Sequence, residues 1–180
     1  MRREGAIDGE FFARDTREVA RELLGCVLVA GEVRVRIVET EAYIPEDSAN
    51  HSFRGRTDRN APMWGPPGHL YVYLCYGIHH LLNISTEVEG RPAAVLIRGG
   101  QVLEGHALVQ GRRGGKLDLN GPGKLAQGLG IDRSWTGRPL GKGLHVESGP
   151  PPVGIRTTPR IGIGHADETD LNALWRYVCD

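Results

Sequence analysis

Lysine and cysteine are scarce in this sequence and long apolar runs are missing, and each shortage closes off a class of mechanism. Among 180 residues there are three cysteines, Cys26, Cys75 and Cys179, an odd and widely scattered set. That excludes a disulfide framework and a cysteine-built zinc site, and it fits a reducing cytoplasm. Lysine occurs only at Lys116, Lys124 and Lys142, outside the best strand patterns. A Schiff-base route through a desolvated amine is therefore disfavoured. Apolar runs such as Ala93–Ile97 are far too short to span a bilayer, and Met1-Arg2-Arg3-Glu4 leads into no signal-peptide stretch. His51, His69 and His106 show no ligand spacing, and His79-His80 would point to opposite faces of a strand. No metal and no cofactor are expected.

Net charge is absent as well, with 22 basic residues against 22 acidic. A globally basic nucleic-acid binder is excluded; one with a single basic face is not. Residues 1–47 carry 7 Arg and 11 Asp/Glu, whereas residues 106–142 carry 7 Lys/Arg and 2 Asp, net +5. That glycine-broken basic stretch reads either as a phosphate-contacting surface or as a solvated loop.

What the chain does hold in quantity is glycine (26) and proline (11), which favour a loop-rich, β-containing fold over a helix bundle. Its length is that of one domain. Asp15 and Glu18 form a capping box ahead of a Val19, Ala20, Leu23, Leu24 stripe, and Gly25 stops that helix. Cys26–Ala30 and Val33–Tyr43 read as a hairpin turning at Gly31-Glu32. By the two-residue period Val33, Val35, Ile37, Glu39, Glu41 and Tyr43 share one face of its second strand. Residues 44–69 form a long polar loop, of the kind that is functional or disordered. Strands over Leu70–Tyr76 and Ile78–Thr86 flank Gly77, with Tyr76 near the tip. Ala93–Ile97 reads as a strand buried on both faces and ends on Arg98. Asn120-Gly121-Pro122-Gly123-Lys124 opens a helix through about Leu129, and its glycine-rich start could present N–H groups and one ammonium to a phosphate. Further strands are expected at Leu144–Glu147 and near Arg160–Ile163. Leu171–Val178 is ambiguous between helix and strand.

Glu39 and Glu41 are the sharpest chemical feature. Carboxylates on a face that Val33, Val35 and Ile37 commit to the core must be paired, hydrogen-bonded or held in a solvated pocket. Partial burial raises a carboxyl pKa and suits a general base near neutral pH. The alternative is an edge strand bending out to water with two solvated glutamates. Tyr43 lies beyond Glu41 on the same face, and Tyr71 and Tyr73 share a face of a later strand. Tyrosines beside a carboxylate can hold a flat ring and act on one of its bonds. A second possibility is a sugar hydrolase using Glu39 and Glu41 as its carboxylate pair.

Several ordered motifs then carry a resemblance. These are Arg36-Ile37-Val38-Glu39-Thr40-Glu41-Ala42-Tyr43, Glu46-Asp47, His51-Ser52, Arg59-Asn60 and Met63. They continue with Leu70-Tyr71-Val72-Tyr73, Tyr76-Gly77, Asn83-Ile84, Val95-Leu96-Ile97-Arg98, Asn120-Gly121-Pro122-Gly123-Lys124-Leu125 and Pro159-Arg160-Ile161-Gly162-Ile163. Together, from about Phe11 to the C-terminus, they resemble the alkyladenine (3-methyladenine) DNA glycosylase family. Tyr43-Ile44-Pro45-Glu46-Asp47 is one residue shorter than the family's usual run.

The resemblance implies an α+β fold: one mixed domain, residues 1–180, around a curved, mainly antiparallel sheet with flanking helices and a protruding DNA-wedging hairpin. It implies excision of alkylated or deaminated purines, such as 3-methyladenine, hypoxanthine and ethenoadenine, from double-stranded DNA by a cytoplasmic, bacterial-type monomer. Under it Glu41 activates water, with Arg98 and the Ile161 carbonyl orienting that water. Tyr43 and Tyr73 sandwich the flipped base, His51 contacts it, and Asn83 discriminates against guanine. Tyr76 is the wedge. Apart from the resemblance, Arg54, Arg56, Arg59 and the basic 106–142 stretch with Lys124 are candidates for gripping phosphates. A relative that flips bases without cutting is the alternative.

Overall fold

Two aspartates start the first elements of the computed structural model, which describes residues 5–180; the reading of Met1–Glu4 lies outside them. Asp8 and Asp15 cap helices α1 (Gly9–Phe12) and α2 (Thr16–Glu22), accepting the amides of Phe11 and Arg17. Val19, Ala20, Leu23 and Leu24 are buried as their stripe requires, and Gly25 (φ 85°) turns the chain. β1 (Val27–Ala30) and β2 (Val33–Tyr43) follow as the expected hairpin, with Gly31 at φ 60°.

Five more strands complete the main body: β3 (Leu70–Cys75), β4 (His79–Ser85), β5 (Ala94–Glu104), β6 (Leu119–Asn120) and β7 (His145–Glu147). β8 (Ile155–Thr158) and β9 (Arg176–Cys179) come last. Helices α3 (His106–Arg112), α4 (Pro122–Leu129) and α5 (Glu168–Asn172) interrupt the series. The sheet runs β3-β4-β5-β2-β1-β7 with every pair antiparallel; β6 joins β5, and β9 carries β8 onto β2. One edge of β2 is thus shared, β1 pairing its first half and β9 pairing Glu39–Glu41. The result is a curled antiparallel half-barrel in a mixed α+β domain, as the resemblance implied.

Two irregularities in the β2–β5 ladder set up the site. Ile37 pairs Gly100 and Glu39 pairs Gly99, so Val38 is an extra residue; Thr40 then pairs Ile97, so Arg98 is extra on β5. A bulge re-aims side chains. It also breaks the expected face assignment. Val33, Val35 and Ile37 lie in the core, but beyond the bulge the core positions pass to Thr40, which donates to the Ala20 carbonyl at 2.7 Å, and Ala42. Glu39, Glu41 and Tyr43 are thereby turned away from the core.

Other expectations need correcting. β5 does not end at Arg98 but continues to Glu104, because the bulge lets the strand resume pairing with Ile37–Arg34. Arg160–Ile163 is not a strand: Gly162 sits at φ 75°, and Ile155–Thr158, three of its four residues β-branched, pairs β9 instead. Leu171–Val178 divides, ending α5 and then forming most of β9. The 44–69 loop is ordered by its own amides: Asn50 Nδ2 donates to the carbonyls of Ile44 and Pro92, and Asn60 Nδ2 to those of His51 and Gly55.

Candidate active site

The inner ends of β2, β3, β4 and β5, the 44–69 loop, the start of α4 and residues 161–165 enclose a cavity of about 380 Å³. That falls within the roughly 300–1,000 Å³ that holds a small cyclic ligand. Tyr43, His51, Tyr71, Tyr73, Asn83 and Arg98 line it, with apolar surface from Ala49, Met63, Leu81, Ala94, Leu96 and Ile163.

Glu41 has no solvent exposure and is held by three residues that line the cavity, Tyr43, Arg98 and Ile161. Its Oε1 accepts from the Ile161 amide (3.1 Å) and faces Arg98 Nη1 (3.2 Å); its Oε2 accepts the Tyr43 hydroxyl (2.8 Å). Burial pushes the carboxyl pKa up, while Arg98, the Ile161 N–H, the Tyr43 hydroxyl and Arg160 pull partly against it. Ile161 thus reaches Glu41 through its amide. Burial beside Glu41 pushes the Tyr43 phenol well up, so it stays a donor.

Sequence position hid the anchor of this arrangement. Arg160 is buried and pairs through both terminal nitrogens with Asp47, which has no exposed side chain either; Nη1 also donates to the Ala42 carbonyl (3.0 Å). Its guanidinium lies 4.8 Å from the Tyr43 ring centre and 4.9 Å from that of Trp175. One side chain therefore ties β2, the 44–52 loop and Ile161 together. Its only sequence signal was the Pro159-Arg160-Ile161 motif.

The opposite wall is a chain of rings. His51 Nδ1 meets the Tyr71 hydroxyl at 2.8 Å, and its ring stands edge-on to Tyr73 at 4.5 Å. Arg59, itself exposed, places its guanidinium 5.3 Å over the Tyr73 ring. Tyr71, singled out only for sharing a strand face with Tyr73, proves to be a lining residue. Desolvation first, then the charges of Arg59 and His165, lower the His51 pKa to about 4. An NMR titration of His51 should accordingly show a midpoint near 4, whereas one near the ordinary value of about 6.5 would mean the ring swings free. The sign follows: the unfolded chain takes up this proton near pH 6.5 and the folded one near 4, so stability from this ring is full above that window and lost as pH falls through it.

Asn83, buried on β4, donates to the Tyr71 carbonyl at 3.2 Å and lines the same cavity. Tyr76 stands at the β3–β4 tip, 88% exposed, with φ 50°. An L residue in that left-handed region costs about 1–2 kcal/mol. Its side chain also lines the cavity mouth. Lys124 lines the cavity rim from α4 but pairs with Asp118 at 2.7 Å. Two arginines of the basic 106–142 stretch have partners within the chain: Arg112 donates to the Gly128 carbonyl, and Arg113 to Gln127 and the Asp118 carbonyl. Among the described residues no cluster of three or more His, Cys, Asp or Glu could hold a metal ion, and no helix is long and apolar enough to cross a membrane.

A desolvated carboxylate beside an aromatic cavity is the kind of equipment that hydrolysis at a bond to a flat ring needs. Comparison narrows this. Residues 10–180 match the family model described as Methylpurine-DNA glycosylase (MPG). The chain is 51% identical over 174 residues to a protein of Nitrosococcus oceani provisionally named a 3-methyladenine DNA glycosylase, covering 93% of this chain and 87% of that one. It is 46% identical over 176 residues to a protein of Arabidopsis thaliana named DNA-3-methyladenine glycosylase, covering 94% and 69%. A Rubrobacter xylanophilus protein with the same provisional name is 50% identical over 165 residues, covering 87% and 85%. The chain belongs to the methylpurine-DNA glycosylase family, enzymes that hydrolyse N-glycosyl bonds in DNA.

Proposed function

We propose that this single-domain enzyme removes alkylated or deaminated purines, 3-methyladenine, hypoxanthine and ethenoadenine among them, by flipping each from the duplex into the cavity. The supporting observation is Glu41 held by Arg98, Tyr43 and the Ile161 amide, from three residues that line that cavity. Water attacks C1′ and gives its proton to Glu41. The C1′–N bond breaks, and its electron pair leaves on the purine. Oε1 already has two partners, so Oε2 is where the water binds, and the Tyr43 hydroxyl gives up its bond there. Tyr43 and Tyr73 stack on the base, His51 and Asn83 meet its edge, and Tyr76 fills the gap left in the duplex. Arg59 and Lys124, at the rim, face the flipped nucleotide and its phosphates. The enzyme works as a cytoplasmic monomer and leaves the DNA strand intact.

The sugar-hydrolase reading lacks its second acid. Glu39 Oε1 is held by Arg98 Nε (3.0 Å) and Arg176 Nε (2.6 Å). Duplexes carrying one lesion each should yield free base, and strand breaks only after alkali. Breaks without alkali, or activity on a simple glycoside and none on DNA, would overturn the proposal. The wedge has its own signature. Tyr76→Gly should relieve the left-handed strain and leave the unfolding midpoint no lower, yet weaken lesion-duplex binding about tenfold, as befits a side chain offsetting a few kcal/mol of unstacking. Unchanged duplex affinity would make Tyr76 a bystander.

A further inference from the structure

We propose that Glu39 is a positioning residue for excision: with Arg176 it fixes the Arg98 guanidinium on Glu41 and shares its charge. This rests on Glu41 being the base. Arg98 is the extra residue of the β5 bulge, and its side chain reaches two carboxylates with two different nitrogens, Nε on Glu39 (3.0 Å) and Nη1 on Glu41 (3.2 Å). A planar fork held at two points cannot swing. Without Glu39 only the Glu41 point remains.

Arg176 adds a second constraint. It sits opposite Glu41 in the β2–β9 register, yet its Nε bonds Glu39 at 2.6 Å and its Nη1 bonds Thr158 at 3.0 Å. Glu39 thus draws a second guanidinium away from the base. Two arginines and two glutamates balance, and the three outer members are largely buried, with side-chain exposures of 13%, 16% and 20% for Arg98, Glu39 and Arg176. Screening among them is weak. The sheet also leaves room for this carboxylate: a Cβ on Gly99 would lie 3.3 Å from Glu39 Cβ and 3.4 Å from its Oε2.

The charged and titratable groups acting on Glu41 are Arg98 from β5, Tyr43 from β2, Tyr73 from β3, and Arg160 beside the Ile161 amide; Glu39 shares Arg98 with it, and Arg176 lies opposite it in the β2–β9 register. Neutralising Glu39 leaves the positive charge of Arg98 and Arg176 to act on Glu41 alone. The carboxylate is then favoured, its proton leaves at lower pH, and its basicity drops. Removing Arg176 does the reverse.

The test is the pH profile of single-turnover excision, together with a 13C NMR titration of the Glu41 carboxyl in the DNA-free enzyme. Glu39→Gln should move the acid limb and the NMR midpoint down by about one unit, the low end of what an added opposite charge does to a carboxylate. Its plateau rate should fall about tenfold as Arg98 loosens. Arg176→Met should move both midpoints up. Glu39→Asp, which keeps the charge and shortens the reach, should lower the plateau with little movement of the limb. Midpoints that stay put in both charge variants, or move in the same direction, would overturn the inference, since a merely structural role predicts no opposed shifts. If Glu39→Gln fails to fold, Arg176→Met and Glu39→Asp carry the test. Full excision by Glu41→Gln would instead remove the base assignment itself, a different failure.

Discussion

Glu41→Gln should bind a lesion-bearing duplex normally and lose at least about 100-fold in excision rate, the ordinary scale for loss of a general base. The substitution keeps an oxygen for the Ile161 amide, so the cavity floor keeps its shape. What disappears is the proton acceptor. On the proposed binding mode, ring stacking, the wedge and the phosphate contacts do not depend on this carboxylate's charge, so binding should survive. Single-turnover excision and duplex affinity, measured side by side, separate the two effects. Wild-type excision by the variant would mean that another group, or water alone, takes the proton.

Linkage gives this variant a second signature. Burial raises the Glu41 pKa in the folded state, so the folded protein holds that proton more tightly than the unfolded chain. Stability from this group is full below the unfolded carboxyl pKa of about 4.3 and falls as pH rises through the raised folded value. A neutral glutamine escapes that loss. At pH 7 the variant should therefore unfold no earlier than wild type while excising far more slowly, the trade between stability and activity expected of a functional carboxylate. In the wild type, excision should fall with acid at a pH above that of an exposed glutamate. An unfolding midpoint well below wild type would show that the negative charge supports the fold, and would weaken its assignment as a strained base.

How much of this was legible depended on whether a residue's partners were near in sequence. The hairpin at Gly31-Glu32, the Asp15 cap and the helix after Gly121 rest on local chemistry, and they stand where the pattern put them. Glu41 and Tyr43 were legible as a pair because they lie two apart on one strand. The path by which they reach the cavity was not: simple alternation put them on the core face, and the bulge at Val38, which depends on pairing with β5, turned them off it. Ile161 and Arg176 are more than a hundred residues from the carboxylates they touch, and no periodicity joins them. α3 was read only as part of a basic, glycine-broken stretch. Its one buried residue, Val109, supplies no amphipathic stripe. Charge was the least reliable guide, because composition cannot tell an arginine that faces solvent from Arg160, which is buried against Asp47.

Asp47→Ala should destabilise the protein by about 3–5 kcal/mol, the cost of leaving a buried charge without its partner. Arg160 would keep the Ala42 and Asp170 carbonyls as acceptors, but neither carries a charge to balance it. Asp47 also accepts the Ala49 amide, so the 44–52 loop loses a second tie. Urea unfolding at constant m-value would read the loss. The double variant Asp47→Leu/Arg160→Met separates two roles. Apolar residues of similar volume often replace a buried pair at little cost, so most of the lost stability should return. Excision should not, because Arg160 backs the Tyr43 ring and precedes the residue whose amide holds Glu41. Recovery of stability and activity together would reduce the ion pair to a packing element. Recovery of stability alone would show that it is retained for the geometry it imposes on the base.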